Sequence, residues 1–257
     1  MRAMTRPLVG RTVVVTRPRA LSGSLASSLE ALGARVVFAP LIKTVAPRSF
    51  RALDAALRDL GRYDAVVFAS ANAVDAFFDR ARTILRKKPS APPLAAAVGP
   101  ATAKALARRG WKASVVPKDA RAEGLAAALR LKKGARVLIP RAEQGREALG
   151  FLLRKAGARV TLATAYRTLA DHDGRRILGK ALAASADAVL FASPSAVASA
   201  AHALGRNRMR KVFRKTAAVA IGSTTAAALK AHGVRPASVS ERPDPGSFAL
   251  AASQALS

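Results

Sequence analysis

Gly157 to Thr168 reads Gly-Ala-Arg-Val-Thr-Leu-Ala-Thr-Ala-Tyr-Arg-Thr, and Gly33 to Thr44 reads Gly-Ala-Arg-Val-Val-Phe-Ala-Pro-Leu-Ile-Lys-Thr. The later stretch repeats the earlier one 124 positions on, 157 minus 33. Other pairs keep nearly the same displacement: Arg17 with Arg141, Ser70 with Ser193, Gly99 with Gly222, Thr102 with Thr225. So long a displacement is too large for a solenoid repeat and fits a whole domain written twice. Within the pair, Tyr166 stands where the first copy has Ile42, so only the second carries a hydroxyl there.

The 257 residues suffice for two buried cores. With no cysteine, disulfides and thiolate chemistry are excluded, and nothing points to an oxidising compartment. Met1 to Gly10 has no apolar leader core, and no run approaches the roughly 20 apolar residues of a membrane span. The cytoplasm is therefore the expected location. The net charge of +29 admits three readings: nucleic-acid binding, attraction of a polyanionic small molecule, or compositional drift in an Ala/Arg-rich chain. The basic residues are spread along the chain with no aromatic-flanked stripe for stacking bases, which disfavours nucleic acid. Spread charge still concentrates anionic ligands within a screening length of about 8 Å at physiological salt.

Arg11 to Thr16 is a short β-branched run without alternation, as in a strand covered on both faces of a parallel sheet. Leu25, Leu29 and Leu32 follow at helical spacing, with Ser22 or Ser24 as the expected cap and Gly33 as the stop. Further strands are read at Val36–Ala39, Asp64–Phe68 and Leu94–Val98. Helices are read at Arg51–Leu60, after Ser70, from Gly99 to about Arg109, and over Glu123–Leu129. The second copy repeats this order, with strands at Arg136–Ile139, Val160–Thr164, Asp187–Phe191 and Ala218–Ile221, and helices over Arg146–Lys155, after Ser193 and after Gly222. Asp64 and Asp187, each ahead of an apolar strand, are read as turn holders. The pattern gives two similar α/β domains with parallel, flavodoxin-like sheets.

Arg17, Ser70, Gly99, Arg141, Ser193 and Gly222 all follow the carboxyl end of an expected strand. In an open parallel sheet that edge is the ligand edge, and helix N-termini there suit carboxylates or phosphates. Thr102, Ser195, Thr224 and Thr225 add hydroxyls to the same rims. Each serine or threonine is also, taken singly, an ordinary helix cap. Six such rims in two copies suggest donor-rich edges facing each other across a cleft. No Walker or dinucleotide glycine pattern is present. His172, His202 and His232 lie too far apart for a compact metal motif, and Asp171-His172-Asp173 reads as a solvated linker. Tyr166 reads either as a packed strand-end aromatic or as a proton donor, since a tyrosine hydroxyl keeps its proton at neutral pH.

Val13-Val14-Val15-Thr16-Arg17-Pro18, Ala97-Val98-Gly99-Pro100-Ala101-Thr102-Ala103, Val137-Leu138-Ile139-Pro140-Arg141, Ala165-Tyr166-Arg167-Thr168, Ser193-Pro194-Ser195-Ala196-Val197 and Ile221-Gly222-Ser223-Thr224-Thr225-Ala226, with Asp64 to Val74, form an ordered set. Together these motifs resemble the uroporphyrinogen-III synthase family, over about Thr12 to Leu250. One departure is Ser223, where the family often has proline, as Pro100 is in the first copy.

The resemblance implies a division that the repeat alone does not give: residues 1–40 with 169–257 as one discontinuous domain and 41–168 as the other. Two side-by-side linkers, Leu41–Thr44 and Ala165–Thr168, would join them, with the active site in the cleft between. It also implies the reaction, in which hydroxymethylbilane loses water, its last pyrrole ring is inverted through a spiro intermediate, and the macrocycle closes to uroporphyrinogen III. No metal or organic cofactor, no membrane and no nucleic acid is implied, and a monomer is expected. Tyr166 would be catalytic, acting on the leaving hydroxyl. Arg17, Ser70, Thr102, Arg141, Ser193, Ser195, Gly222, Thr224 and Thr225 would bind the substrate's carboxylates. A non-catalytic sensor of an anionic tetrapyrrole, or a nucleic-acid-binding protein, stands as the alternative.

Overall fold

The computed structural model describes residues 6–145 and 147–257. Half of the Met1–Gly10 segment, and Arg146 as the expected first residue of a helix, lie outside the described residues. The chain divides into two compact units, one running to Lys43 and resuming at Leu169–Ser257, the other Thr44–Thr168. In chain order the first unit opens with β1 (Thr12–Val15), α1 (Gly23–Ala31) and β2 (Arg35–Phe38), and β3 (Ile42–Val45) leads into the second. That unit continues with α2 (Arg51–Arg58), β4 (Ala65–Phe68), α3 (Ala71–Leu85), β5 (Leu94–Ala97), α4 (Pro100–Arg108), α5 (Ala122–Ala128), β6 (Arg136–Ala142) and α6 (Ala148–Lys155). The long β7 (Arg159–Ala170) leads back to α7 (His172–Ala183), β8 (Ala188–Phe191), α8 (Pro194–Leu204), α9 (Arg206–Val212), β9 (Ala217–Ala220), α10 (Ser223–Ala231), β10 (Ser238–Val239) and α11 (Pro245–Leu256).

The described strands form two five-stranded sheets, ordered β10-β9-β8-β1-β2 and β3-β7-β6-β4-β5. Every pairing in the first is parallel, as are β5-β4-β6-β7 in the second. The β1, β4 and β8 side chains are wholly buried because helices cover both faces. In the second unit Leu57, Val74, Phe77, Leu106 and Trp111 fill one face of the sheet and Leu125, Leu149 and Leu153 the other. Trp111 also donates from Nε1 to the Pro89 carbonyl at 3.1 Å, so its one polar atom is satisfied in the core. No described helix is long and apolar enough to cross a membrane.

Asp64 and Asp187 do the same work in each copy. Asp64 Oδ2 accepts from the Arg136 N–H at 2.7 Å, and Asp187 Oδ2 accepts from the Thr12 N–H at 2.8 Å. Each carboxylate thus ties the start of its strand to the first residue of a neighbour and helps fix the parallel register.

Two local expectations are corrected. Asp171-His172-Asp173 is not a linker: Asp171 Oδ1 accepts from the Gly174 N–H at 3.1 Å and caps α7. A short polar side chain followed by a helix-compatible run is a cap signal as much as a linker signal. Ser22 occupies the N-cap position of α1, but its hydroxyl makes no capping bond, and Ser24 lies inside the helix. β3, α7 and α9 are elements that residue spacing alone does not announce.

The return of the chain to the first unit is tightly held. The Leu41 carbonyl accepts from the Asp171 N–H at 3.1 Å and from Ser199 Oγ at 2.7 Å. Gly174 packs so closely on Pro40 that an added Cβ would collide with the Pro40 backbone. An alanine ordinarily favours a helix interior over glycine, but overpacking should win here. Gly174→Ala is expected to lose on the order of 1–3 kcal/mol. Urea unfolding measures this, and an unchanged or raised midpoint would contradict the packing.

Candidate active site at the strand ends

In the second unit, β4 ends at Phe68 and Ser70 caps α3, its Oγ accepting from the Ala73 N–H at 3.1 Å. The helix carrying this cap is clamped on both sides. Arg80 on α3 forms a bidentate pair with Asp54 of α2, both contacts at 2.6 Å. Arg109, just beyond α4, reaches Asp75 at 2.9 Å and Asp79 at 2.8 Å. Forked pairs of this kind fix orientation as well as distance.

Tyr166 reaches the same spot from β7. The β6–β7 register shifts between Arg141, opposite Thr164, and Ala142, opposite Tyr166, which is a β-bulge. Strict alternation would send Ala165 and Tyr166 to opposite faces; with the extra residue both join the core cluster of Leu138 and Ala163. The tyrosine is 8% exposed, and its hydroxyl lies 3.1 Å from Ser70 Oγ. Because Ser70 Oγ already accepts from the Ala73 N–H, its own proton is free for Tyr166 or for a further acceptor. Two residues 96 positions apart thus share one hydrogen bond at a helix N-terminus.

The other expected residues separate into three groups. Ser193 caps α8 as Ser70 caps α3, accepting from the Ala196 N–H at 3.2 Å. Ser193, Arg17 and Gly222 follow three adjacent strands, β8, β1 and β9. Ser195 and Thr224 are exposed in the first turns of α8 and α10. Gly222 is the N-cap of α10 and gives it no side-chain cap; a Cβ there would meet nothing within 4 Å. The first amides of α10 are therefore open to an anion. Thr102 and Thr225, by contrast, are buried, at 4% and 1% exposure.

The two arginines of the repeat differ most. Arg141 is spent locally: it donates to the Ala142 and Gly145 carbonyls and pairs with Glu147. Arg17 makes no hydrogen bond or ion pair among the described residues. Protein crowding around its guanidinium lowers its pKa from the ordinary value by desolvation, although the side chain still reaches water. An arginine so placed keeps its charge and has all its donors available. Glu143, which the sequence reading did not single out, also belongs to the rim; its N–H donates to the Tyr166 carbonyl at 2.8 Å.

The family model described as uroporphyrinogen-III synthase HemD matches residues 23–249, most of the chain. The chain belongs to the uroporphyrinogen-III synthase family. A uroporphyrinogen-III synthase of Synechococcus elongatus is 35% identical over 165 residues, 63% of this chain and 62% of that protein. A relative from Methanothermobacter thermautotrophicus is 31% identical over 232 residues, covering 86% of this chain and 90% of its own length. Among solved structures, a mutant uroporphyrinogen III synthase of Thermus thermophilus has the same fold, with a TM-score of 0.70 at 24% identity over 96% of this chain and 98% of that one. Membership places the chain among enzymes of tetrapyrrole biosynthesis.

The Ser70–Tyr166 bond has a thermodynamic signature. In a double-mutant cycle of Ser70→Ala and Tyr166→Phe, the expected coupling is roughly 0.5–1.5 kcal/mol of unfolding free energy. Strict additivity would contradict the contact. Ser193→Ala, which removes a cap with no tyrosine behind it, should cost only the usual loss of about 1 kcal/mol.

Proposed function

We propose that this chain is a cofactor-independent hydro-lyase and cyclase that converts hydroxymethylbilane to uroporphyrinogen III in the cytoplasm. The hydroxyl group leaves the terminal ring as water, taking a proton as its C–O bond breaks, and an azafulvene cation remains. The cationic carbon bonds to the substituted carbon of the last ring to give a spiro intermediate, the bond from that carbon to its original methylene breaks, and the freed methylene bonds to the ring's unsubstituted carbon, which loses its proton as the macrocycle closes. The observation that carries this reading is the Tyr166 hydroxyl held 3.1 Å from Ser70 Oγ at a carboxyl-end rim, in a chain that matches the family over residues 23–249.

In this reading Tyr166 protonates or hydrogen-bonds the leaving hydroxyl, and the Ser70 hydroxyl orients it and can return a proton. The substrate's acetate and propionate arms accept from Arg17, from the Ser193, Ser195 and Thr224 hydroxyls, and from the open amides after Gly222. Each charge-assisted bond contributes roughly 1.5–3 kcal/mol, so a few of them hold a flexible linear tetrapyrrole in one pose. The net charge of +29 raises the local concentration of such a polyanion. Thr102, Thr225 and Arg141 serve by shaping the turns that present these donors. Residues 1–40 with 169–257, and residues 41–168, would be the functional domains.

The test is product analysis. Hydroxymethylbilane closes spontaneously to the type I isomer, so the purified protein should yield type III uroporphyrin after oxidation. Type I alone, from folded protein, would overturn the assignment.

A further inference from the structure

The donors along the strand-end rims suit carboxylates, and at the rim of the second unit Glu143 carries the opposite sign. Glu143 is the first residue beyond β6, the strand between β7 and β4 in the second sheet. Tyr166 on β7 and Ser70 beyond β4 meet at 3.1 Å, so their bond spans the end of the strand from which Glu143 departs. Its N–H on the Tyr166 carbonyl, at 2.8 Å, ties it to the same bulge.

The Glu143 carboxylate is only partly used. Oε1 lies 3.5 Å from Nε of Arg48, whose side chain is 80% exposed, a surface contact of the weak kind. Oε2 is buried and has no hydrogen-bond partner among the described residues. A carboxylate oxygen withdrawn from water calls for a donor. The substrate's carboxylates would be repelled here. What remains on hydroxymethylbilane to satisfy an acceptor is its pyrrole N–H groups and its one hydroxyl, and the hydroxyl is the group assigned above to Tyr166.

Resting on the function proposed above, we infer that Glu143 forms a subsite for the donor side of the substrate, its half-used carboxylate turning to accept from a pyrrole N–H beside Tyr166. The subsite complements the carboxylate donors: they hold the arms, and Glu143 reads the orientation of the ring. When the hydroxyl leaves, positive charge spreads onto the nitrogen of the ionising ring, and its N–H becomes a stronger donor. The bond therefore tightens as the cation forms, and its contribution falls on kcat more than on KM.

The experiment compares Glu143→Leu, Glu143→Gln and Arg48→Met with wild type, reading kcat, KM, the type III to type I ratio and thermal melting. Glu143→Leu, which has no acceptor, should lower kcat by about tenfold to a hundredfold. Glu143→Gln keeps an acceptor oxygen and should lose less than Glu143→Leu, while melting near wild type. Arg48→Met should leave turnover unchanged. Wild-type kcat in Glu143→Leu, within an enzyme that makes type III, overturns this subsite and leaves the proposed function standing. An Arg48→Met loss equal to that of Glu143→Leu assigns Glu143 to a structural ion pair and also overturns it. A wild-type protein that makes no type III removes the proposed function and this inference together.

Discussion

Parallel pairing decides where the polar residues of both units collect. A parallel strand cannot follow its neighbour through a tight turn, so each crossover returns through a helix, and the carboxyl ends of the strands share one edge with helix N-termini. In the first unit every described pairing obeys this, and Arg17, Ser193 and Gly222 fall on adjacent strand ends as a result. The clustering of polar residues is a product of topology. Asp64 and Asp187 reinforce it by locking the strand starts in equivalent ways in both copies.

Against that shared frame, Tyr166 distinguishes the Ser70 rim from the Ser193 rim. Ser70 and Ser193 are equivalent caps with equivalent backbone partners, yet only Ser70 has a tyrosine hydroxyl on its oxygen. The difference comes from a bulge in β7 that brings Tyr166 onto the core face with Ala165. Burying a phenol without a partner would be costly; sharing one bond with a helix cap satisfies it while leaving the pair at the rim. The bidentate Arg80–Asp54 pair and the Arg109 contacts to Asp75 and Asp79 hold α3, and with it the cap.

Much of the fold was legible in the sequence because it is carried by local pattern. The unbroken β-branched run at Thr12–Val15 and the unbroken apolar run at Ala65–Phe68 announce doubly covered strands, and the repeat announces two sheets. The same holds for the rim serines, which are local cap signals. What escaped depends on distant partners or on backbone detail. Arg17 and Arg141 look identical in sequence, but only the loop after β6 offers carbonyls and Glu147 to absorb the second. Thr102 and Thr225 sit one turn into their helices, where burial by the rest of the fold decides their exposure. The bulge at Tyr166 and the half-used carboxylate of Glu143 have no counterpart in residue spacing, and α7 was hidden by reading its cap, Asp171, as part of a linker.

Whether Tyr166 acts on the leaving hydroxyl is tested most directly by the single-turnover rate of cyclisation by Tyr166→Phe. Phenylalanine keeps the ring in the core and removes only the hydroxyl and its bond to Ser70. General acid catalysis contributes about 10² to 10⁴ in rate, so a folded variant should be slowed by a factor in that range. A wild-type rate in that variant would contradict the claim and take Tyr166 out of the chemistry.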